Sequence, residues 1–200
     1  MADSKNTDPK STDASAEASA AGGDPVTERA LDVIRAALPT AVVASETTGP
    51  HPWIRVDAAH LRRVCRLLKE HEATRLDCCH LISGVDWPDD DEMEVVYHLV
   101  SYALRPDDAY RRRAEKNDPW VALKVRVPRA QPEVPTVMDI WTGADWHERE
   151  TWDLAGIRFT GRESLRRILL PEDWPGHPLH KDWVYPASYH GTPIIPPEGM

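Results

Sequence analysis

Residues 121–127, Val-Ala-Leu-Lys-Val-Arg-Val, decide the fold class. Val121, Leu123, Val125 and Val127 recur at every second position with Lys124 and Arg126 between them, the period at which a strand sends alternate side chains to opposite faces. The segment reads as a strand with its valines and leucine turned inward. Upstream, Met93 to Leu104 supplies a partner: Met93, Val95, Tyr97 and Leu99 share one face, and Val96 and Val100 lie on the other beside Glu94 and His98, so both faces are partly covered. Leu76 to Val85 is ambiguous by period, but its length and the acidic turn from Trp87 to Glu92 predict a strand that runs into a hairpin. The charged stretch from Arg105 to Asp118 reads as a mobile loop between the last two strands.

Further towards the N-terminus the period changes to that of a helix. Leu61, Val64, Cys65 and Leu68 stand at i, i+3, i+4 and i+7, with Asp57 in position to cap and with Arg62, Arg63, Arg66 and Lys69 mostly on other faces. Ala41 to Ser45 and Trp53 to Val56 are short strands separated by a Gly49-Pro50 turn. Asp24-Pro25 reads as an N-cap and first helical position for a helix with the stripe Ala30, Leu31, Ile34, Ala37 and Leu38, which Pro39 stops. Residues 1–23 hold no aromatic and no branched aliphatic side chain and read as a disordered leader. Helix, two strands, helix and three strands describe a two-layer α+β domain over residues 24–140.

Composition narrows the function. With 41% apolar residues over 200, the chain suffices for one domain. A net charge of −9 argues against nucleic acid, which rewards dense positive surfaces. No apolar run approaches the roughly 18–20 residues of a membrane span, and the N-terminus lacks a signal pattern, so a cytosolic location is expected. Cys65, Cys78 and Cys79 make neither a disulfide framework nor a metal spacing, and no phosphate-cradling glycine loop occurs. His177 and His180 have a His-x-x-His spacing, but Pro178 forbids a regular helix there and no second ligand pair completes a site.

Beyond Pro128 the rhythm changes again. Thr136-x-x-Asp139 is a helix-start signal, and Asp145 with Glu148 stands at capping-box spacing for a second helix on which Arg149 and Asp153 lie one turn apart. After Gly156 the prolines keep the chain extended, so residues 141–200 read as a helix followed by an arm rich in Pro and Trp that cannot form its own core. Five of the eight tryptophans fall between Trp141 and Trp183, and interfaces favour Trp and Arg as anchors. Trp174 and Trp183 in particular read as partner contacts. An acid/base hydrolase using Glu150 and Asp153 is the reading from a different class.

Glu148, Arg149, Glu150, Asp153, Leu154, Ala155 and Gly156, followed by Leu165, Arg166, Arg167, Ile168, Leu169 and Leu170, resemble the signature of the C subunit of proton-translocating NADH:quinone oxidoreductase, respiratory complex I. The block Asp173-Trp174-Pro175-Gly176-His177-Pro178-Leu179, ending Lys181-Asp182-Trp183, is similar as well. Ala155, Arg162-Glu163-Ser164 and His180 depart from the family pattern. The resemblance implies a non-catalytic subunit of the peripheral arm that packs on its hydrogenase-like neighbour, the D subunit, on the cytoplasmic face of the membrane, touching the membrane only through the complex. It implies no cofactor in this chain, with NAD, FMN, quinone and iron–sulfur clusters in the assembly. It also implies a partner interface at Glu148, Arg149, Glu150, Asp153, Gly156, Arg166, Arg167, Trp174, Gly176, Pro178, Lys181, Asp182 and Trp183. The equivalent subunit of a membrane-bound energy-converting hydrogenase would show the same pattern.

Overall fold

The computed structural model describes residues 23–103, 120–163 and 165–194. The expected leader except Gly23, and the expected loop from Arg105 to Asp118, lie outside the described residues. Helix α1 (Pro25–Ala37) begins as its sequence implies: the Asp24 carboxylate accepts the Thr27 N–H at 2.7 Å, Pro25 needs no partner there, and Ala30, Leu31 and Ile34 are buried. Strands β1 (Val42–Glu46) and β2 (Trp53–Val56) pair antiparallel. Asp57 does cap, but it caps a 3-10 turn, Ala58–His60, that feeds α2 (Leu61–Glu70); the stripe Leu61, Val64, Cys65 and Leu68 is buried.

Three long strands follow: β3 (Cys78–Trp87), β4 (Glu92–Val100) and β5 (Trp120–Pro128). The strand expected to reach Leu104 stops at Val100. Sheet order is β1-β2-β5-β4-β3, and β2 runs parallel to β5 while every other pairing in this sheet is antiparallel. Ile82, Val95, Tyr97, Leu99, Leu123 and Val125 join Ile34, Val64 and Leu68 in one core, so the helices make one layer and the sheet the other.

Helix α3 (Ala144–Ala155) completes that layer by packing on β3. Gly84 permits the close approach, since a Cβ there would stand 3.0 Å from both the Ala155 Cβ and the Thr151 Cγ2. Two short strands flank the helix, β6 (Glu133–Pro135) and β7 (Arg158–Thr160), paired parallel. The expected helix start at Thr136 is not used. Residues 136–143 run as turns, with the Thr136 N–H on the Thr160 carbonyl and Asp139 forked by Arg62 at 2.8 and 2.7 Å. The expected capping box also fails, because Gly143 occupies the N-cap without a side-chain bond, and Asp145 and Glu148 turn to Arg162 instead. After Gly156, left-handed at φ 73°, the chain to Ile194 has little regular structure beyond β7 and the pair β8 (Ser188–Tyr189) and β9 (Thr192–Pro193).

Candidate interaction site around the third helix

Three buried carboxylates organise the C-terminal third. Glu148, 0% exposed, accepts the Thr136 hydroxyl at 2.6 Å, the Val137 N–H at 2.7 Å and an Arg162 Nη1–H at 3.0 Å. Burial pushes its carboxyl above the ordinary value, and these donors hold it back. Asp153, also 0% exposed, receives Arg167 Nη1 at 2.7 Å on one oxygen and the N–H groups of Ile168, Leu169 and Leu170 at 2.9, 2.8 and 3.0 Å on the other. Burial alone would raise this carboxyl, but the donors together bring it below its ordinary value. Asp86, on β3, is forked by Arg129 at 2.7 and 3.0 Å and accepts the Lys181 N–H at 2.8 Å; the Arg129 bonds set its lowered value.

The end of α3 is closed by the arm. A helix leaves its last carbonyls without intrahelical donors. Here the Gly156 N–H bonds Trp152 O, His177 Nδ1 lies 2.9 Å from Asp153 O, the Leu179 N–H bonds Leu154 O, and His180 Nε2 lies 2.9 Å from Ala155 O. The His-x-x-His spacing thus serves as a helix cap. It places His177 in its Nδ1–H tautomer and His180 in its Nε2–H tautomer, since both face carbonyl oxygens. The departures at Arg162 and His180 therefore both carry bonds within the chain, and Ala155 is buried beside Gly84.

The remaining expected contact residues divide by exposure. Arg149 does not pair with Asp153, the partner expected one turn away; its guanidinium lies 5.0 Å over the Trp146 ring and its Nε donates to Arg166 O at 3.3 Å. Trp146 is 62% exposed and Arg166 is exposed, while Glu150 is half-buried. Arg167 is turned inward, with its second Nη on the Trp174 and Gly176 carbonyls. Trp174 stacks on Trp183 with centroids 6.3 Å apart and meets Tyr189 at 5.1 Å, and the Trp183 ring crosses Gly176, where a Cβ would come within 3.0 Å. Pro178 is half-buried; Lys181 contributes its backbone N–H to Asp86, and the exposed Asp182 pairs with Arg129 at 2.6 Å. The arm runs as a series of turns, with the Trp174, His180 and Trp183 N–H groups on carbonyls three residues back, and its aromatics gather into a cluster of their own. Trp141 is in the main core, its indole N–H on Leu76 O at 3.0 Å.

The acid/base pair of Glu150 and Asp153 is not formed. Asp153 has no exposed oxygen, and the hollow nearby, about 450 Å³ and lined by Trp152, Arg158, Phe159, Arg162 and Leu165 among others, includes neither carboxylate. Among the described residues, the ligand-type atoms that converge are those of Asp86, His180 and Asp182, and Arg129 already bridges both carboxylates. Cys65 and Cys79 are buried, and burial pushes both thiols up, Cys79 to about 12.

Fold and site define a small α+β protein whose C-terminal arm is strapped to its own third helix. Residues 54–189 match the family described as respiratory-chain NADH dehydrogenase, 30 kDa subunit. The NADH-quinone oxidoreductase C subunit of Acidothermus cellulolyticus is 37% identical over 166 residues, covering 80% of this chain and 80% of that protein. The corresponding C subunit of a Nocardioides species is 40% identical over 149 residues, but this chain covers 54% of its length, about half. In three dimensions, a chain of the membrane-bound sulfane sulfur reductase, an archaeal respiratory membrane complex, superposes with a TM-score of 0.55 at 26% identity, covering 73% of this chain and 77% of that one. The protein belongs to the 30 kDa, or C-subunit, family of respiratory-chain NADH-quinone oxidoreductase.

Proposed function

We propose that this chain is a non-catalytic subunit of the peripheral arm of a proton-translocating NADH:quinone oxidoreductase, bracing the hydrogenase-like D subunit on the cytoplasmic face of the membrane. Electron transfer and proton translocation belong to the assembly, as do its NAD, FMN, quinone and iron–sulfur clusters. The observation that carries the reading is the family match, which runs from Ile54 in β2 to Tyr189 in the arm. Three features support it. No described helix is long and apolar enough to cross a membrane, so attachment would come through other subunits. The polar side chains of the signature are used to fix the arm's shape, as a scaffold requires. Leu169, Leu179 and Val184 stand exposed along that arm, apolar surface of the kind that marks protein contacts.

Of the family residues expected at a partner, Arg149, Glu150, Arg166, Lys181 and Trp183 retain surface for one, and Glu148, Asp153 and Arg167 act by shaping what is presented. The test is affinity purification of the full chain from detergent-solubilised membranes. Recovery of iron–sulfur subunits with NADH:quinone activity is the expected result; recovery of the chain alone contradicts the reading. A second reading is the equivalent subunit of a membrane-bound energy-converting hydrogenase; the likeness to the archaeal sulfane sulfur reductase chain supports the broader point that related chains serve other respiratory membrane complexes. A nickel-bearing neighbour in the same purification would favour it.

A further inference from the structure

We infer that Trp146, Arg149, Arg166 and Leu169 form a docking patch for a carboxylate-bearing segment of the neighbouring subunit, an inference that rests on the reading of the chain as a subunit of the respiratory assembly. Two of the arginines in this region carry unused charge. Of Arg149, Arg162, Arg166 and Arg167, Arg162 takes Asp145 and Glu148, and Arg167 takes Asp153. Arg149 and Arg166 have no carboxylate partner among the described residues, although the chain carries a net charge of −9 and acids are plentiful. Arg149 is also held at two points, its Nε on the Arg166 carbonyl and its Cζ over the Trp146 ring, and neither Nη group has an acceptor among the described residues. A guanidinium fixed in that way offers parallel N–H donors that fit a carboxylate bidentately.

Exposed apolar side chains accompany the cations: Trp146 lies under the Arg149 guanidinium, and Leu169 follows Arg166 by three residues. Trp146 is 62% and Leu169 60% exposed, and large side chains beside arginine are the composition of interface hot spots. The backbone beneath Leu169 is not free to adapt, because its N–H and those of its two neighbours are held by Asp153. Fixing a loop before binding removes part of the ordering cost of association. The patch thus combines cation donors, apolar anchors and a rigid base, and charge complementarity selects an acidic segment.

Two variants of the full chain, expressed in place of the native copy, test this. With R166K, a zero-length carbodiimide applied to native membranes joins an amine to a touching carboxylate. The expected product is an amide between position 166 and an Asp or Glu of another identified subunit. The double charge reversal R149E/R166E should reduce co-purification of the iron–sulfur subunits at least about tenfold, the scale of one hot-spot loss, while the isolated variant melts within a few degrees of the native chain. A cross-link from position 166 confined to this chain, or charge-reversed protein that assembles like the native one, overturns the inference and leaves the functional reading standing. If the native chain recovers no iron–sulfur subunits, the functional reading fails and the patch with it.

Discussion

Glu148 and Arg162 lie 3.0 Å apart, with side chains 0% and 5% exposed, and the pair bridges the start of α3 to the chain that returns after β7. Replacing both members with apolar groups can be harmless, but removing one leaves a buried charge uncompensated. Arg162→Met should therefore destabilise the isolated chain by about 3–5 kcal/mol. Arg162→Lys should cost less, because it restores the charge without the fork. Urea unfolding of the three proteins checks the order.

Asp153 governs the loop at 168–170 through three backbone bonds to one oxygen. Hydrogen bonds to a charged group contribute roughly 1.5–3 kcal/mol each. Asp153→Asn should loosen the loop while the sheet stays intact. The expected signature in hydrogen exchange is at least about tenfold faster exchange at 168–170, with β4 and β5 unchanged. Uniform acceleration throughout the chain would mean that Asp153 supports the whole fold instead.

Gly156 carries the turn from α3 into β7 at φ 73°, and a Cβ there would meet the His177 ring at 2.8 Å. Gly156→Ala combines left-handed strain, about 1–2 kcal/mol, with displacement of the helix-capping histidine. A lowered melting temperature together with protease sensitivity near residues 177–183 is expected. Lowered melting without that sensitivity would show that the cap is dispensable.

Burial lowers the titration of His177 below the ordinary histidine value. Between its folded value and the ordinary value of about 6.5 the unfolded chain binds more protons, so this contribution to stability is present above pH 6.5 and is lost as pH falls through that window. His98, lowered chiefly by burial, acts in the same direction. Asp86 and Asp153 are lowered too, and their contribution disappears in more acid solution, as pH drops through their folded values. Glu148, raised by burial, works oppositely and loses its contribution as pH rises through its folded value. Melting temperature should fall between pH 7.5 and 5.5, and His177→Asn, which keeps an N–H donor near Asp153 O, should reduce that fall. Superimposable pH profiles would remove His177 from the account.

Much of the fold was legible because period alone reveals it. The alternation at Val121–Val127 and the stripe from Leu61 to Leu68 became β5 and α2 with the expected faces buried. Strand order was not legible: a parallel β2–β5 pairing depends on how helices cross, which no local pattern records. Three-residue strands such as β6 and β7 are too short to show a period, and prolines border or occupy β6. Around α3, the sequence singled out Glu148 and Asp153 but not the side chains they pair with. Local spacing suggested Asp145 with Glu148 and Arg149 with Asp153, whereas the observed partners Arg162 and Arg167 lie 14 residues from Glu148 and Asp153. Arg162 itself stood out only as a departure from the family pattern. A buried carboxylate demands a cation, and that demand could have drawn attention to it.

In the proposed role, this chain fixes its arm with its own buried carboxylates and offers the outer side of that structure to another subunit. Hydrogen exchange of the full chain, alone and within the purified membrane complex, tests both halves together. The predicted result is protection at 168–170, 179 and 181 in both samples, with peptides covering 146–150 gaining protection only in the complex. Unprotected exchange at 168–170 in the isolated chain, or no difference at 146–150 on assembly, would contradict it.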